Sequence, residues 1–142
     1  MRWFLVMLFT VRICAADLAA IRQDTNLERR SQLAMDYAGT ALDAARGGYQ
    51  AGDMDKTEAA LKEVQESVDL AYQSILDTGK VARRSPGLFK RAELATRQLL
   101  RRIEGFADSM SFQDRPLAEK VRDRVSAVHD DLVNAMMSKQ RK

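Results

Sequence analysis

Apolar side chains recur every three or four positions along most of the chain, the spacing that places them on one face of an α-helix. In the first segment these side chains are small, so a partner helix can approach closely while each residue buries little area. We predict one helix over 17–51, although three glycines within it each lower helix propensity by up to about 1 kcal/mol relative to alanine. The stripe is Ala34, Ala38, Ala41 and Ala45, and the glycines are Gly39, Gly47 and Gly48.

The second segment begins with a turn signal, Gly52 followed by Asp53. Glycine adopts the left-handed conformation that ends many helices, and an aspartate side chain can accept a hydrogen bond from a free N–H of the next helix. The sequence therefore predicts a second helix that ends near Gly79. Its apolar stripe is Leu61, Val64, Val68, Ala71 or Tyr72, and Ile75.

A capping residue and a proline begin each of the two remaining helices. Ser85 precedes Pro86, and Asp114 stands two residues before Pro116. Serine and aspartate can cap a helix, and proline suits the first turn because the N–H that it lacks has no partner there. The third stripe is Leu88, Ala92, Ala95, Leu99, Ile103, Phe106 and Met110, and the fourth is Leu117, Val121, Val125, Val128, Leu132 and Met136.

The predicted fold is an all-α antiparallel up-down bundle of four long helices, which forms a single domain over 17–142. Helices of similar length joined by short loops run antiparallel and close their apolar seams on one another. Aromatic residues make up only 6% of the chain, and no Asn-Gly or Asp-Gly pair separates alternating strands, which disfavours a β-fold. Long heptad-like stripes also build dimers, so the same pattern is compatible with a homo-oligomer.

The N-terminal residues have the order of a secretory signal peptide. Arg2 precedes an apolar run of nine residues, WFLVMLFTV, and small residues follow the run. We predict a signal peptide over 1–16, cleaved after Ala16 or else after Ala20, and hence a periplasmic or extracellular protein. The run is too short for a transmembrane helix of about 20 residues. A buried N-terminal helix is the alternative interpretation.

Cys14 is the only cysteine of the chain. A cysteine behind an apolar run can be the lipid attachment site of a bacterial lipoprotein, but such sites normally follow small residues, whereas Arg12 and Ile13 precede this one. If cleavage follows Ala16, the mature chain has no cysteine. Disulfides, thiolate catalysis and thiolate metal sites are then excluded.

The net charge depends on processing of the N-terminus. The full chain carries a formal charge of +3, but loss of Arg2 and Arg12 leaves 21 basic and 20 acidic residues. A nearly neutral chain whose basic residues are not interleaved with aromatic ones gives no case for nucleic-acid binding. Locally the charge is uneven, because 80–105 holds eight basic and two acidic residues whereas 53–79 holds seven acidic and two basic ones.

This uneven charge has two interpretations. In the first, the second and third helices attract each other, which fixes their pairing. In the second, the cations form a contact surface for an acidic protein, phospholipid head groups or cell-wall polymers. The function predicted from the second is that of a non-enzymatic exported helical-bundle protein acting through protein or cell-envelope contacts. The predicted contact residues are Lys80, Arg83, Arg84, Lys90 and Arg91.

His129 is the only histidine of the chain. A di-iron site needs Glu-x-x-His on two helices, but Ser126 stands where the glutamate would be, and the C-x-x-C-H motif of covalent haem attachment is absent. With one histidine and no glycine-rich phosphate loop, no catalytic residue or metal ligand is predicted. In layout and compartment the chain resembles the exported four-helix b-type cytochromes. That resemblance implies an alternative function, a haem-binding electron carrier with Met35 and His129 as axial ligands.

The stretch from Thr40 to Val64 resembles one helical hairpin of a tetratricopeptide repeat, through Ala45, the glycine-aspartate turn and Leu61. It departs from the repeat at Thr57, where alanine is preferred, and in the length of its second helix. No second copy is present, so the resemblance implies a hairpin and no peptide-binding solenoid. The chain as a whole resembles the many uncharacterised exported helical proteins of bacteria, which implies no activity.

Overall fold

A computed structural model describes residues 14–138, with side chains from residue 17 onward. Every regular element in this range is an α-helix, which confirms the predicted all-α class. Residues 1–13 of the predicted signal peptide lie outside the described residues, and the predicted cleavage point after Ala16 falls within the first helix. The helices are α1 (Cys14–Arg22), α2 (Leu27–Gln50), α3 (Met54–Asp77), α4 (Pro86–Ser109) and α5 (Arg115–Met137).

The prediction of four helices was wrong, because the first predicted segment is divided into α1 and α2. Polar side chains cause the break: Asp24 Oδ1 accepts a hydrogen bond from Asn26 N at 2.9 Å, and Asn26 Oδ1 accepts one from Arg29 N at 3.0 Å. Asn26 thereby caps α2, since its side chain satisfies a backbone N–H that has no partner within the helix. The short α1 packs against α2 and α3 and buries Leu18.

The hairpin of α2 and α3 follows the sequence prediction closely. The alanine stripe of α2 is fully buried, and it lets α3 approach closely along the length of the helix. Gly52 has a φ of +73°, the left-handed conformation expected at the turn. The Asp53 side chain accepts a hydrogen bond from Lys56 N at 3.0 Å, so the predicted cap is confirmed.

The helices α4 and α5 begin at the predicted proline signals, but their predicted caps do not form. Neither Ser85 nor Asp114 makes a side-chain hydrogen bond to the first turn of its helix. The Asp114 carboxylate instead accepts a hydrogen bond from the Tyr49 hydroxyl, at 3.1 Å. The same oxygen accepts a hydrogen bond from Ser111 Oγ at 2.8 Å, so the carboxylate faces the loop and α2 instead of the first turn of α5.

The four long helices alternate in direction and form two antiparallel hairpins, α2–α3 and α4–α5, which pack face to face. The helix α2 lies beside α4, and α3 lies beside α5, so neighbours across the two hairpins run in the same direction. The predicted apolar stripes meet in the centre. The largest fully buried apolar side chains there are Phe106, Leu42, Ile75, Ile103 and Leu132. No helix within residues 14–138 is both long and apolar enough to cross a membrane.

The interpretation in which opposite charges pair α3 with α4 is wrong. Among the described residues no ion pair joins 53–79 to 80–105. The reason is that α3 packs mainly on α2 and α5, and the acidic side chains of α3 reach cations there. The pairs are Asp77 with Arg30, at 3.1 Å, and Asp69 with Arg124, at 2.7 Å.

Candidate functional site

The predicted contact residues surround the loop that joins α3 to α4, at one end of the bundle. Ala82 is buried and anchors this loop, and Arg84 N and Ser85 N both donate to Val81 O at 3.0 Å, which closes a compact turn. Because Ala82 points inward, its neighbours in the loop are exposed. We call the exposed residues Lys80, Arg83, Arg84, Lys90 and Arg91 the basic end.

Two of the five cations of the basic end are held in ion pairs within the protein. The Lys80 ammonium donates to the Glu28 carboxylate at the start of α2 and holds the pKa of that carboxyl below its ordinary value. Lys90 donates to Glu93 at 3.0 Å. Within residues 17–138, Arg83, Arg84 and Arg91 make no ion pair. The structure therefore leaves three arginines of the predicted surface open to an external anion.

The acidic side chains at this end are already neutralised. Asp24 pairs with Arg29, with Nε and Oδ2 2.6 Å apart, and this hydrogen bond is the main reason that the pKa of Asp24 lies below its ordinary value. Asp77 pairs with Arg30 and Glu28 pairs with Lys80. An external anion thus meets little free negative charge near Arg83 and Arg84, whereas Arg91 shares a groove with Glu28 and Asp36.

Exposed aliphatic side chains accompany the basic end. Leu76 in the last turn of α3 is 48% exposed, and Val81 in the loop is 44% exposed. Met137, the last residue of α5, is also exposed at this end of the bundle. Scattered exposed aliphatics are ordinary on a protein surface, but Val81 lies in the same turn as the unpaired Arg83 and Arg84. The surface is therefore amphipathic.

A groove of about 520 Å³ lies between the N-terminal halves of α2 and α4, next to the basic end. Its floor is apolar, and its rim carries charges of both signs. Arg91 belongs to both the groove and the basic end. The floor includes Met35, Leu88, Ala92 and Ala95, and the rim includes Glu28, Asp36 and Arg91.

The structure does not bring Met35 and His129 together as an axial pair. Met35 lines the groove between α2 and α4, whereas His129 lies at the contact between α4 and α5 and does not line that groove. His129 Nδ1 is 3.0 Å from Thr96 Oγ1, and Nε2 is 3.9 Å from Glu93 Oε1. The two ring nitrogens thus face side chains of α4, and the helices α2 and α5 that carry the two proposed ligands are not in contact.

Glu93 is a buried carboxylate that the sequence analysis missed. Its residue is 1% exposed, and Lys90 and Arg97, one turn before and after it on α4, both donate to it. Burial, the largest single influence, raises the pKa of Glu93, but the hydrogen bonds and positive charges of Lys90 and Arg97 together outweigh it and hold the pKa below its ordinary value. A sequence signal exists, because Phe89, Glu93 and Thr96 form a second row beside the apolar stripe at spacings of four and three.

The described residues contain no group of three histidine, cysteine, aspartate or glutamate side chains placed to share a metal ion. Comparison of the chain with protein-family models, with curated proteins and with solved structures finds no match. The unpaired guanidinium groups of the basic end have a clear chemical preference, for anionic oxygen atoms.

Proposed function

We propose that this is a non-enzymatic, exported helical-bundle protein that acts by binding an anionic component of the cell envelope through its basic end. The observation that carries the proposal is the group of three exposed arginines, Arg83, Arg84 and Arg91, that have no ion-pair partner among the described residues. Export is proposed from the signal-like N-terminal sequence.

Geometry favours an external anion for these arginines over a role within the fold. Some other cations of the bundle hold helices together, as Arg102 of α4 does when its Nη2 donates to Asp43 Oδ1 of α2 at 2.5 Å. Arg83 and Arg84 are exposed in a turn that a buried alanine holds in place, so their removal leaves the core intact. Exposed, unpaired charges contribute little to the free energy of unfolding, whereas several cations close together can bind a polyanion.

The experiment expresses the full chain in its native cells and compares envelope and soluble fractions. Replacement of Arg83, Arg84 and Arg91 by serine is expected to move most of the protein from the envelope to the soluble fraction, because three unpaired charges are lost while the core is unchanged. N-terminal sequencing of the same fractions checks export and is expected to find a start at Asp17 or Ile21.

The matched control replaces Lys56, Arg101 and Lys120 by serine. These cations are exposed, lie away from the basic end, and make no ion pair within residues 17–138, so the change in net charge is the same. The control is expected to fractionate like the wild type. Equal fractionation of both triple variants and the wild type would rule out the basic end as the binding surface. Lys90 is left unchanged in the test because its loss would remove one of the two cations that pair with the buried Glu93.

A further inference from the structure

The loop at the basic end exposes both apolar and basic side chains. Val81 is exposed, Ala82 is buried, and Arg83 and Arg84 are exposed, while Leu76 stands exposed at the adjoining end of α3. A soluble or cell-wall polyanion would need the cations alone. Aliphatic side chains next to arginines suit the boundary between phospholipid head groups and acyl chains. There the arginines can contact the phosphates while the aliphatic side chains contact the acyl chains.

The distribution of negative charge fits the same surface. The acidic residues at this end, Asp24, Asp77 and Glu28, form ion pairs with Arg29, Arg30 and Lys80. The acids without such partners on α2 and α5 are set back by about 9–14 Å along their helices, at 1.5 Å per residue. That distance is comparable to the Debye length of about 8 Å at physiological ionic strength, so their repulsion at the surface is weakened. These acids are Asp36, Asp130 and Asp131.

We infer that the basic end docks on the surface of an anionic phospholipid bilayer, with Arg83 and Arg84 at the lipid phosphates and Val81 and Leu76 entering the head-group boundary. This inference rests on the proposed function and names the anion as a membrane lipid. Charge complementarity selects an anionic bilayer, and the two exposed aliphatic side chains select a bilayer over a soluble polyanion.

The test measures binding of the purified protein to phosphatidylglycerol-containing vesicles, to phosphatidylcholine vesicles and to long-chain inorganic polyphosphate. The wild type is expected to bind the anionic vesicles, to bind phosphatidylcholine at least ten-fold more weakly, and to lose binding as salt rises. Replacement of Arg83 and Arg84 by serine is expected to weaken binding to anionic vesicles about 30-fold, because each basic residue near such a surface contributes about 1 kcal/mol.

A second variant isolates the apolar contribution. Replacement of Leu76 and Val81 by serine is expected to weaken vesicle binding about ten-fold, since two half-exposed aliphatic side chains lose their burial, and to leave polyphosphate binding unchanged. The matched control replaces Leu33 and Leu94, which are 40% and 41% exposed on α2 and α4, by serine and is expected to bind vesicles like the wild type. Circular dichroism confirms that each variant keeps its helices.

The outcomes separate the two proposals. If the Leu76 and Val81 variant binds vesicles as well as the wild type, or if polyphosphate binds as tightly as the anionic vesicles, docking on lipid is overturned while binding of an anion stands. If vesicles do not bind but envelope fractionation still depends on the three arginines, the anion belongs to a protein or a wall polymer, and the lipid inference fails. If the arginine variants change neither measurement, both proposals fail.

Discussion

Gly47 and Gly48 are neighbours in α2, yet a methyl group at each position would meet different surroundings. At Gly47 nothing lies within 4 Å of the added atom. At Gly48 the added atom would lie 3.0 Å from Thr57 Oγ1 and 3.2 Å from Thr57 N on α3. The Thr57 hydroxyl is itself fixed, because it donates to Asp53 O at 2.8 Å. Gly48 is therefore required by the close approach of two helices, whereas Gly47 is not.

Alanine substitutions at these two positions are expected to change stability in opposite directions. Gly47→Ala should raise the free energy of unfolding by about 0.5–1 kcal/mol, because alanine loses less backbone entropy in a helix. Gly48→Ala should lower it by about 1–2 kcal/mol, because a backbone N–H cannot move aside as a flexible side chain can. Urea denaturation of both variants measures the difference. Equal stability of the two variants would show that α2 and α3 do not approach each other closely at Gly48 and Thr57.

At the scale of elements, Glu93 lies where α4 meets α5, with its Oε1 3.9 Å from His129 Nε2, while Lys90 and Arg97 on its own helix supply the compensating charge. A buried carboxylate without such partners would be strongly unfavourable. Because the pKa of Glu93 in the folded protein lies below its ordinary value, the folded state favours the ionised form. The resulting stabilisation is present above the pKa of the unfolded chain and is lost as the pH falls through the folded pKa.

Glu93→Gln is therefore expected to lower the free energy of unfolding at pH 7 by roughly 1.5–3 kcal/mol, the scale of a hydrogen bond to a charged group. The difference from the wild type should shrink as the pH falls below 4.5, the ordinary pKa of a glutamate, because the wild-type carboxyl then becomes neutral as well. Thermal or urea unfolding across this pH range provides the measurement. Glu104→Gln, at an exposed position on the same helix, is the control and should show no such dependence. A difference that is constant with pH would contradict this account of Glu93.

At the scale of the whole molecule, Tyr49 connects the two hairpins at the end opposite to the basic end. Its hydroxyl donates to Asp114 Oδ2 at 3.1 Å and accepts a hydrogen bond from Ser111 N at 2.9 Å. Its ring packs edge-on against Phe106, with centroids 5.9 Å apart and planes at 79°. A side chain of α2 thus supplies a partner for the loop between α4 and α5. Ser111 Oγ donates to the same Asp114 oxygen at 2.8 Å, so both contacts hold the carboxylate away from the first turn of α5.

Tyr49→Phe is expected to lower the free energy of unfolding by about 1–2 kcal/mol, because the ring contact is kept while a carboxylate and a backbone N–H each lose a partner. Hydrogen exchange should also become faster at Ser111 N, since that amide loses its acceptor. The matched control is Tyr72→Phe, at a half-buried tyrosine on α3, which should change stability by less than about 0.5 kcal/mol. Unchanged exchange at Ser111 in Tyr49→Phe would mean that the hairpins are held together by other contacts.

The sequence by itself determined the local structure of this protein. Helix periodicity, the Gly52-Asp53 turn and the two prolines act within a few residues, so they predicted the all-α class, the buried stripes and the limits of α3, α4 and α5. The break before α2 was also local, in the capping side chains of Asp24 and Asn26, and was missed because the apolar repeat continues across it.

Only the tertiary structure decided which helices are neighbours and which charges remain free. Similar apolar stripes can close in more than one order, and the observed order places α4 beside α2 and α5 rather than against the acidic face of α3. That order gave Lys80 and Lys90 partners within the protein and left Arg83, Arg84 and Arg91 without one among the described residues. Ion pairs form over a few ångströms between side chains that are far apart in sequence. The arrangement of the helices therefore has to be known before the pairs can be predicted.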